Sequence, residues 1–416
     1  MKKLLSIVLL VMLVVVATTS FAADKKVTLR IWEWISSQGE GPIYKQAIES
    51  YMQEHPNVKI EMLTNPWNQA HDKILIMSQA NQMPDIIGVN RNWLMEFVSM
   101  DLIEDLTPYV EQVPGMREKF YEPLRGEMDG KVYILPYSGG NAALVINKKV
   151  FAEMGLTPPT TLDEFVAVSK KLSNADEGKY ATQFGLAEKN ATGANVCNIG
   201  PILYSFGGKY VENRKAAFNS PEGVQALQWM IDLEKQKLAG PGSITVDARG
   251  MRERFAGGQA FMTFDGSWGT PFYNKYPEVE FEVVKMPKGK EVGTVVNIMC
   301  WGISKSSEQK EAAWDLLKYL MNDENLLKLF KEANVMPTMP KYGELPEFQE
   351  KYKGFLDTLA ESKNYFQTGS VPQESQLYKI VTQAYHEAFL GKKSPQQALD
   401  DAAKKYNAIL EEFYAE

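Results

Sequence analysis

Fourteen side chains in this chain fall where predicted strands end and loops begin, and they are of two kinds. Trp34, Trp67, Trp93, Tyr137, Trp268, Trp301 and Tyr378 are aromatic. Asn90, Asn92, Asn141, Asn195, Asn198, Asp265 and Asn297 are amides or acids. An aromatic ring offers a flat apolar face. An amide both donates and accepts hydrogen bonds, and a carboxylate accepts them. A sugar needs both kinds of partner, because its C–H faces pack on rings and its hydroxyls donate and accept. Taken singly, a tryptophan near a strand end is more often core packing, and Asp265 could just as well cap a turn. As a set they read as ligand-binding residues.

Signatures of catalysis are missing. The chain has no G-x-S-x-G, H-E-x-x-H, G-x-G-x-x-G or C-x-x-C motif and no phosphate loop. Its histidines are His55, His71 and His386, and its cysteines are Cys197 and Cys300, too few and too scattered for a structural zinc site. The cysteines read as two buried free thiols, with a bridge between them as the alternative. A glycosidase needs only two placed carboxylates. With 52 acidic residues in the chain, a secreted carbohydrate-active enzyme stays open as an alternative.

The elements that must position these residues follow an α/β rhythm. Residues 27–34 alternate as a strand. Ile43, Tyr44, Ala47, Ile48, Tyr51 and Met52 recur at helical spacing until His55-Pro56-Asn57 ends the run. A strand over 58–63, a helix over 73–82 and a short strand over 85–89 follow. This is βαβαβ, the pattern of a parallel sheet. Ligands of such sheets bind beyond the carboxyl ends of the strands. The loops at 34–40 and 90–93, with Trp67, therefore belong to one rim. A second α/β region begins after 150, and its first helix opens on the capping box Thr161-Leu162-Asp163-Glu164. Between the two regions, Pro136-Tyr137-Ser138-Gly139-Gly140-Asn141 combines a fixed φ with two permissive glycines, suited to a crossing between rigid bodies. Further crossings are expected at 265–269 and 297–301.

Residues 1–22 read as a cleavable export signal. Lys2 and Lys3 precede an apolar run, and Ser20-Phe21-Ala22 supplies small residues for cleavage after Ala22. The apolar run is shorter than the ~20 residues a spanning helix needs. The net charge of −7 comes with no long basic run, which makes nucleic acid an unsuitable partner.

Several short patterns occur in an order that carries a resemblance. They are the opening strand with Trp32 and Trp34, Met83-Pro84-Asp85-Ile86, KVYILPY followed by LVINK, and F-x-x-G-x-A-x-M from Phe255 to Met262. Asp265-Gly266-Ser267-Trp268, GISKSS from Gly302 to Ser307, and GKKSPQQAL from Gly391 to Leu399 complete the series. With these the mature chain resembles the bacterial extracellular solute-binding proteins of carbohydrate ABC importers, the maltose-binding-protein-like group. The resemblance implies a two-lobed α/β fold of the periplasmic-binding-protein type (type II-like), with hinge crossings and a cleft between the lobes. It implies a monomer without cofactor or metal that takes a sugar or short oligosaccharide to membrane permease subunits. The lobes are expected at 23–138 plus 266–304 and at 139–265 plus 305–416. Trp268 and Tyr378 stand where the group places sugar-stacking aromatics. Pro201 follows a ligand-contacting segment of the group, which implicates Asn195 and Asn198. Gly140 stands where the group carries an acidic contact, and Val89 where it carries a tryptophan, so maltose itself is not expected. An amino acid, polyamine or anion is the alternative ligand, and Arg91 would meet an anion.

Overall fold

The computed structural model describes residues 26–34, 40–333 and 335–415. The export signal expected over 1–22, and the part of the first rim loop at 35–39, lie outside the described residues. Three parallel strands open the fold: β1 (Val27–Glu33), β2 (Val58–Thr64) and β3 (Ile86–Asn90). β1 lies between the other two, with Val27 opposite Val58 and Ile31 opposite Ile86. The helix Gly41–Glu54 connects β1 to β2. It buries Ile43, Tyr44, Ala47, Ile48 and Tyr51 on one face, as their spacing requires. The hairpin β4 (Glu127–Met128) and β5 (Lys131–Val132) precedes the 13-residue strand β6 (Leu135–Asn147). Beyond it come β7 (Tyr180–Thr182), the hairpin β8 (Val211–Glu212) and β9 (Lys215–Ala216), β10 (Ala260–Gly266) and β11 (Phe281–Val284). β12 (Gly293–Ile303) and β13 (Asn364–Gln367) complete the set. The main sheet runs β2-β1-β3-β12-β6-β10-β7, with β11 paired to β6 and β13 to β12.

Two main cores divide the molecule, and three segments pass between them. β6 enters from the first core with Leu135 and Tyr137 and leaves through the second with Leu144 and Ile146. β12 runs the opposite way, with Val295 in the second core and Ile298, Cys300 and Trp301 in the first. The two strands pair antiparallel, Gly140 opposite Asn297 and Asn141 opposite Val296. The third passage is the helix Pro346–Glu361, which buries Phe348, Tyr352 and Phe355 in the first core. It leads to β13, whose Phe366 lies in the second. Among the described residues no helix is long and apolar enough to cross a membrane, and both cysteines are buried free thiols.

Two sequence expectations are corrected here. The segment 265–269 is not a crossing. After β10 the chain turns into the short helix Thr270–Tyr273, whose Tyr273 packs with Val145, Phe255 and Val279. β11 then returns to pair with Leu144 to Asn147 of β6. Residues 266–295 therefore stay with the second core, which also takes Met286 and Val292. Glycines serve close approach at this turn: a Cβ on Gly266 would sit 2.1 Å from the Trp268 indole, and one on Gly269 would sit 2.2 Å from Asp265 Oδ2. Nor do residues 305–416 form one unit. Trp314, Leu317, Phe330 and Tyr352 pack into the first core, and Leu377, Tyr385 and Tyr406 into the second. An amphipathic face shows that a helix is packed without showing against which core.

Gly140 has φ +156°, and a Cβ there would lie 2.3 Å from Ser267 Oγ and 2.8 Å from Met336 Sδ. Gly140→Ala is expected to destabilise the fold by about 1–3 kcal/mol, read as a lower urea midpoint at unchanged slope. A change within about 0.5 kcal/mol, the ordinary surface value, would show that the crossing tolerates a side chain.

Candidate functional site

Because β1, β2 and β3 are parallel, the residues that follow them emerge along one edge. Trp34 follows β1, Trp67 follows β2 and Trp93 follows β3. They form one aromatic cluster. Trp67 and Trp93 stack at 5.4 Å with planes 20° apart. Trp34 meets both edge-on, at 5.1 and 5.6 Å, and Trp32 lies behind it at 5.8 Å. Edge-to-face and offset stacks at these separations are the favoured arrangements of π quadrupoles. Gly88 leaves room for the cluster, since a Cβ there would lie 3.0 Å from the Trp34 ring. Trp34 and Trp93 are buried, and Trp67 is partly exposed above them.

The turn Arg91–Trp93 carries the polar part of this edge. Asn90 caps it, its Oδ1 accepting from Asn92 N at 3.1 Å. Asn92 Oδ1 is buried and finds no protein donor among the described residues. Arg91 is 4 % exposed; its Nη1 donates to Thr368 O and its Nη2 to Glu127 O at 2.8 Å. Burial pulls the Arg91 pKa down to about 10.

The edge abuts the crossing strands, because Met299 of β12 stands opposite both Asn90 of β3 and Ser138 of β6. At that level Asn141 donates through Nδ2 to Ala142 O at 3.1 Å, while its buried Oδ1 has no donor among the described residues. The Tyr137 hydroxyl is likewise buried and unpartnered there. Asn297 Oδ1 accepts from Thr368 Oγ1 at 3.1 Å. Ser267 Oγ donates to Gly139 O at 3.3 Å and so ties the neighbouring Trp268, partly exposed, to the crossing. Strand register thus connects the edge that carries Trp34, Trp67, Asn90, Asn92 and Trp93 with the crossing that carries Tyr137, Asn141 and Asn297, and Ser267 connects that crossing with the turn that carries Trp268. Buried acceptors without donors cost free energy unless something else satisfies them.

Five expected ligand contacts are corrected, because protein groups already occupy them. Asn195 and Asn198 lie in the π-helical stretch Ala194–Ile199. Asn195 Nδ2 donates to Ala191 O, Tyr378 O and Thr382 Oγ1, and its Oδ1 accepts from the Tyr210 hydroxyl at 2.7 Å. Asn198 accepts from Gly185 N at 2.7 Å and donates to Phe264 O at 3.0 Å. Asp265 accepts Arg252 in a two-point bridge at 2.7 and 2.8 Å, together with Gly266 N and the Tyr273 hydroxyl. That carboxylate holds the Arg252 charge, whose pKa is raised against its own burial. Tyr378 is a core residue packed with Tyr210 and Phe366. Trp301 is another, wedged against Tyr44 and Tyr137 at 5.4 and 5.1 Å.

Two buried carboxylates outside the predicted set lie near these residues, Glu40 near Tyr137 and Glu374 near Arg91. Glu40, at the start of the helix Gly41–Glu54, is 9 % exposed, and burial raises its pKa. In the sequence it marks only the end of a polar loop. Glu374 accepts from Gly369 N at 2.6 Å close to Arg91, and burial pushes its carboxyl up to about 8. Its one sequence signal was the turn Thr368-Gly369-Ser370 ahead of a helix. Among the described residues no group of three or more His, Cys, Asp and Glu could hold a metal ion.

Comparison with known proteins supports this architecture. Residues 35–326 match the family described as bacterial extracellular solute-binding protein. The galactooligosaccharide-binding protein of Bacillus subtilis (strain 168) is 22% identical over 403 residues, covering 93% of this chain and 90% of that one. The maltotriose-binding protein of Pyrococcus abyssi (strain GE5 / Orsay) is 24% identical over 331 residues, 76% and 68% respectively. An ABC transporter solute-binding protein from Thermotoga lettingae, solved with α-D-tagatose, superposes with a TM-score of 0.82 at 23% identity, covering 92% of this chain and 99% of that one. With the family match running through both cores and the two-lobed fold shared, this chain belongs to the bacterial extracellular solute-binding protein family.

Proposed function

We propose that this protein is a non-catalytic receptor that takes a sugar or short oligosaccharide between its lobes and delivers it to the membrane permease of an ABC importer. The observation that carries this reading is the seam of edge, crossing and turn. There the partly exposed Trp67 and Trp268 accompany buried amide oxygens, on Asn92 and Asn141, that have no protein donor among the described residues. Indole faces pack on the C–H faces of a sugar ring, and its hydroxyls supply the donors those oxygens lack. The names of the relatives, galactooligosaccharide-binding and maltotriose-binding, support the same ligand class. Export is part of this reading, supported by the family and by the signal expected over 1–22, with cleavage after Ala22.

Closure is the transducing step. A ligand shifts an open–closed equilibrium only through its different affinity for the two states. Trp67 and Asn92 belong to the first lobe and Trp268 to the second, so a ligand spanning them binds the closed form better. Arg91 counts against an anionic ligand: its two Nη groups are committed to the backbone carbonyls of Thr368 and Glu127. Among the described residues, the carboxylates of Glu374 and Glu127 already bear on its charge.

Two measurements test the reading. Thermal unfolding of the mature protein is expected to shift with one class of mono- or oligosaccharide. Ligand at a hundred times its Kd adds ~2.7 kcal/mol, which for a chain of this size is a rise of about 3 °C. A shift with an amino acid, polyamine or anion, and with no sugar, would overturn the ligand class. Release of smaller sugars from a bound oligosaccharide by the pure protein would make it an enzyme. Substitutions should then separate site from scaffold. Trp67→Ala and Trp268→Ala are expected to weaken sugar binding about tenfold or more with little change in melting temperature. Asp265→Ala leaves Arg252 buried without its partner and is expected to cost about 3–5 kcal/mol of stability. Unchanged affinity in both tryptophan variants would move the ligand away from this seam.

A further inference from the structure

His71 lies beneath the aromatic edge on the helix Ala70–Gln79, directly after the turn Trp67–Gln69. Its Nε2 is 2.7 Å from Glu96 Oε2 on the helix Leu94–Ser99, which continues from the turn carrying Trp93. Its Nδ1 is 3.4 Å from Asp72 Oδ1 on its own helix. The imidazole stands 5.5 Å from the Trp93 ring and lies nearly parallel to Phe97, 9° apart at 6.0 Å. His71 therefore joins the helix that follows Trp67 to the helix that follows Trp93, and it touches the lower member of the stack. The charged groups facing it are Glu96 across the helix pair and Asp72 beside it; Trp93 and Phe97 complete its surroundings without charge. A neutral imidazole has one N–H and one lone pair. It can donate to one of these carboxylates but turns a lone pair on the other. The imidazolium donates to both.

We infer that His71 is a positioning residue for the Trp67–Trp93 platform, and that it holds the two indoles in their stacked geometry while both of its ring nitrogens carry protons. Ligand capture at this edge is then pH-dependent, a consequence that rests on the carbohydrate reading of the seam. Burial works against the His71 charge, but the hydrogen bond and charge of Glu96, and then those of Asp72, outweigh it. The His71 pKa lies above its ordinary value of 6.5. A base whose folded pKa is raised contributes stability that is fully present below its unfolded value and is lost as pH rises through the folded one. The platform is thus braced in mildly acidic medium and released on the alkaline side.

Stacked indoles give an exciton-coupled circular-dichroism signal, which reads their geometry without any ligand. In the full mature chain, the difference between wild type and Trp67→Phe should isolate the part of that signal that comes from Trp67, since Trp32, Trp34 and Trp93 still couple in the variant. In the wild type the signal should fall as pH rises through a midpoint above 6.5, scanned from about pH 5 to 9. Glu96→Gln should move the midpoint to lower pH, and His71→Gln should leave a signal that no longer titrates. A wild-type signal constant across the range would overturn the inference, as would a His71→Gln signal that titrates unchanged. If His71→Gln does not fold, the Glu96→Gln midpoint decides, and no displacement overturns the inference. With a carbohydrate found by unfolding shifts, its affinity should weaken about two- to fivefold through the same midpoint, the worth of one ion pair, and should stay flat in His71→Gln. A flat wild-type affinity would overturn the link to capture. Failure of every carbohydrate to bind would count against the ligand class, and the dichroism would still decide the role of His71.

Discussion

The antiparallel pairing of β6 with β12 is the constraint on which the rest of the structure depends. Each strand begins in one core and ends in the other, in opposite directions. Their ladder keeps the backbone groups of the passage hydrogen-bonded, which a buried loop could not do. Gly139 and Gly140 lie at its centre, opposite Ile298 and Asn297. There the side-chain volume is taken by Ser267 and Met336. The same close packing leaves no room for a longer side chain at 140. A carboxylate would have to occupy space already filled from the second lobe and the 335–340 loop.

Several buried polar groups of the second lobe are committed within the protein. Asp265, Asn195 and Asn198 each bind several protein groups, and Asn195 joins the π-helical stretch to the helix Glu374–Phe389, far away in sequence. Satisfied networks of this kind rigidify a core. At the seam, Asn92, Asn141 and Tyr137 carry atoms that no described protein group satisfies. Rigid walls with unmet hydrogen-bonding capacity are what a receptor needs, since ordering costs fall on the protein before the ligand arrives. The aromatic edge follows the same logic. Three indoles brace one another, and Trp67 is held in place by Trp93 beneath it and Trp34 at its edge.

Much of this was legible from residue order. Period-two alternation in 27–34, helical spacing from Ile43 to Met52 and the short apolar run at 85–89 specify a parallel βαβαβ start, because each pattern buries one face whatever it packs against. Parallel strands in turn place Trp34, Trp67 and the 90–93 turn on one edge, and the Pro136–Asn141 composition marks a true passage between the cores. Partnership was not legible. Asp265, Asn195, Asn198, Trp301 and Tyr378 have the residue types of a sugar site, yet Arg252, Tyr210, Phe264, Tyr44 and Phe366 claim them. Those partners lie up to hundreds of positions away, as Tyr44 does from Trp301. The helices of 310–361 pack on the first core for a similar reason: an apolar stripe records burial without recording against what. Residue order therefore determined the local elements and the chemistry on offer. Tertiary packing decided which polar groups are spent within the protein and which remain for a ligand, because hydrogen bonds and contacts depend on distance in space and not along the chain.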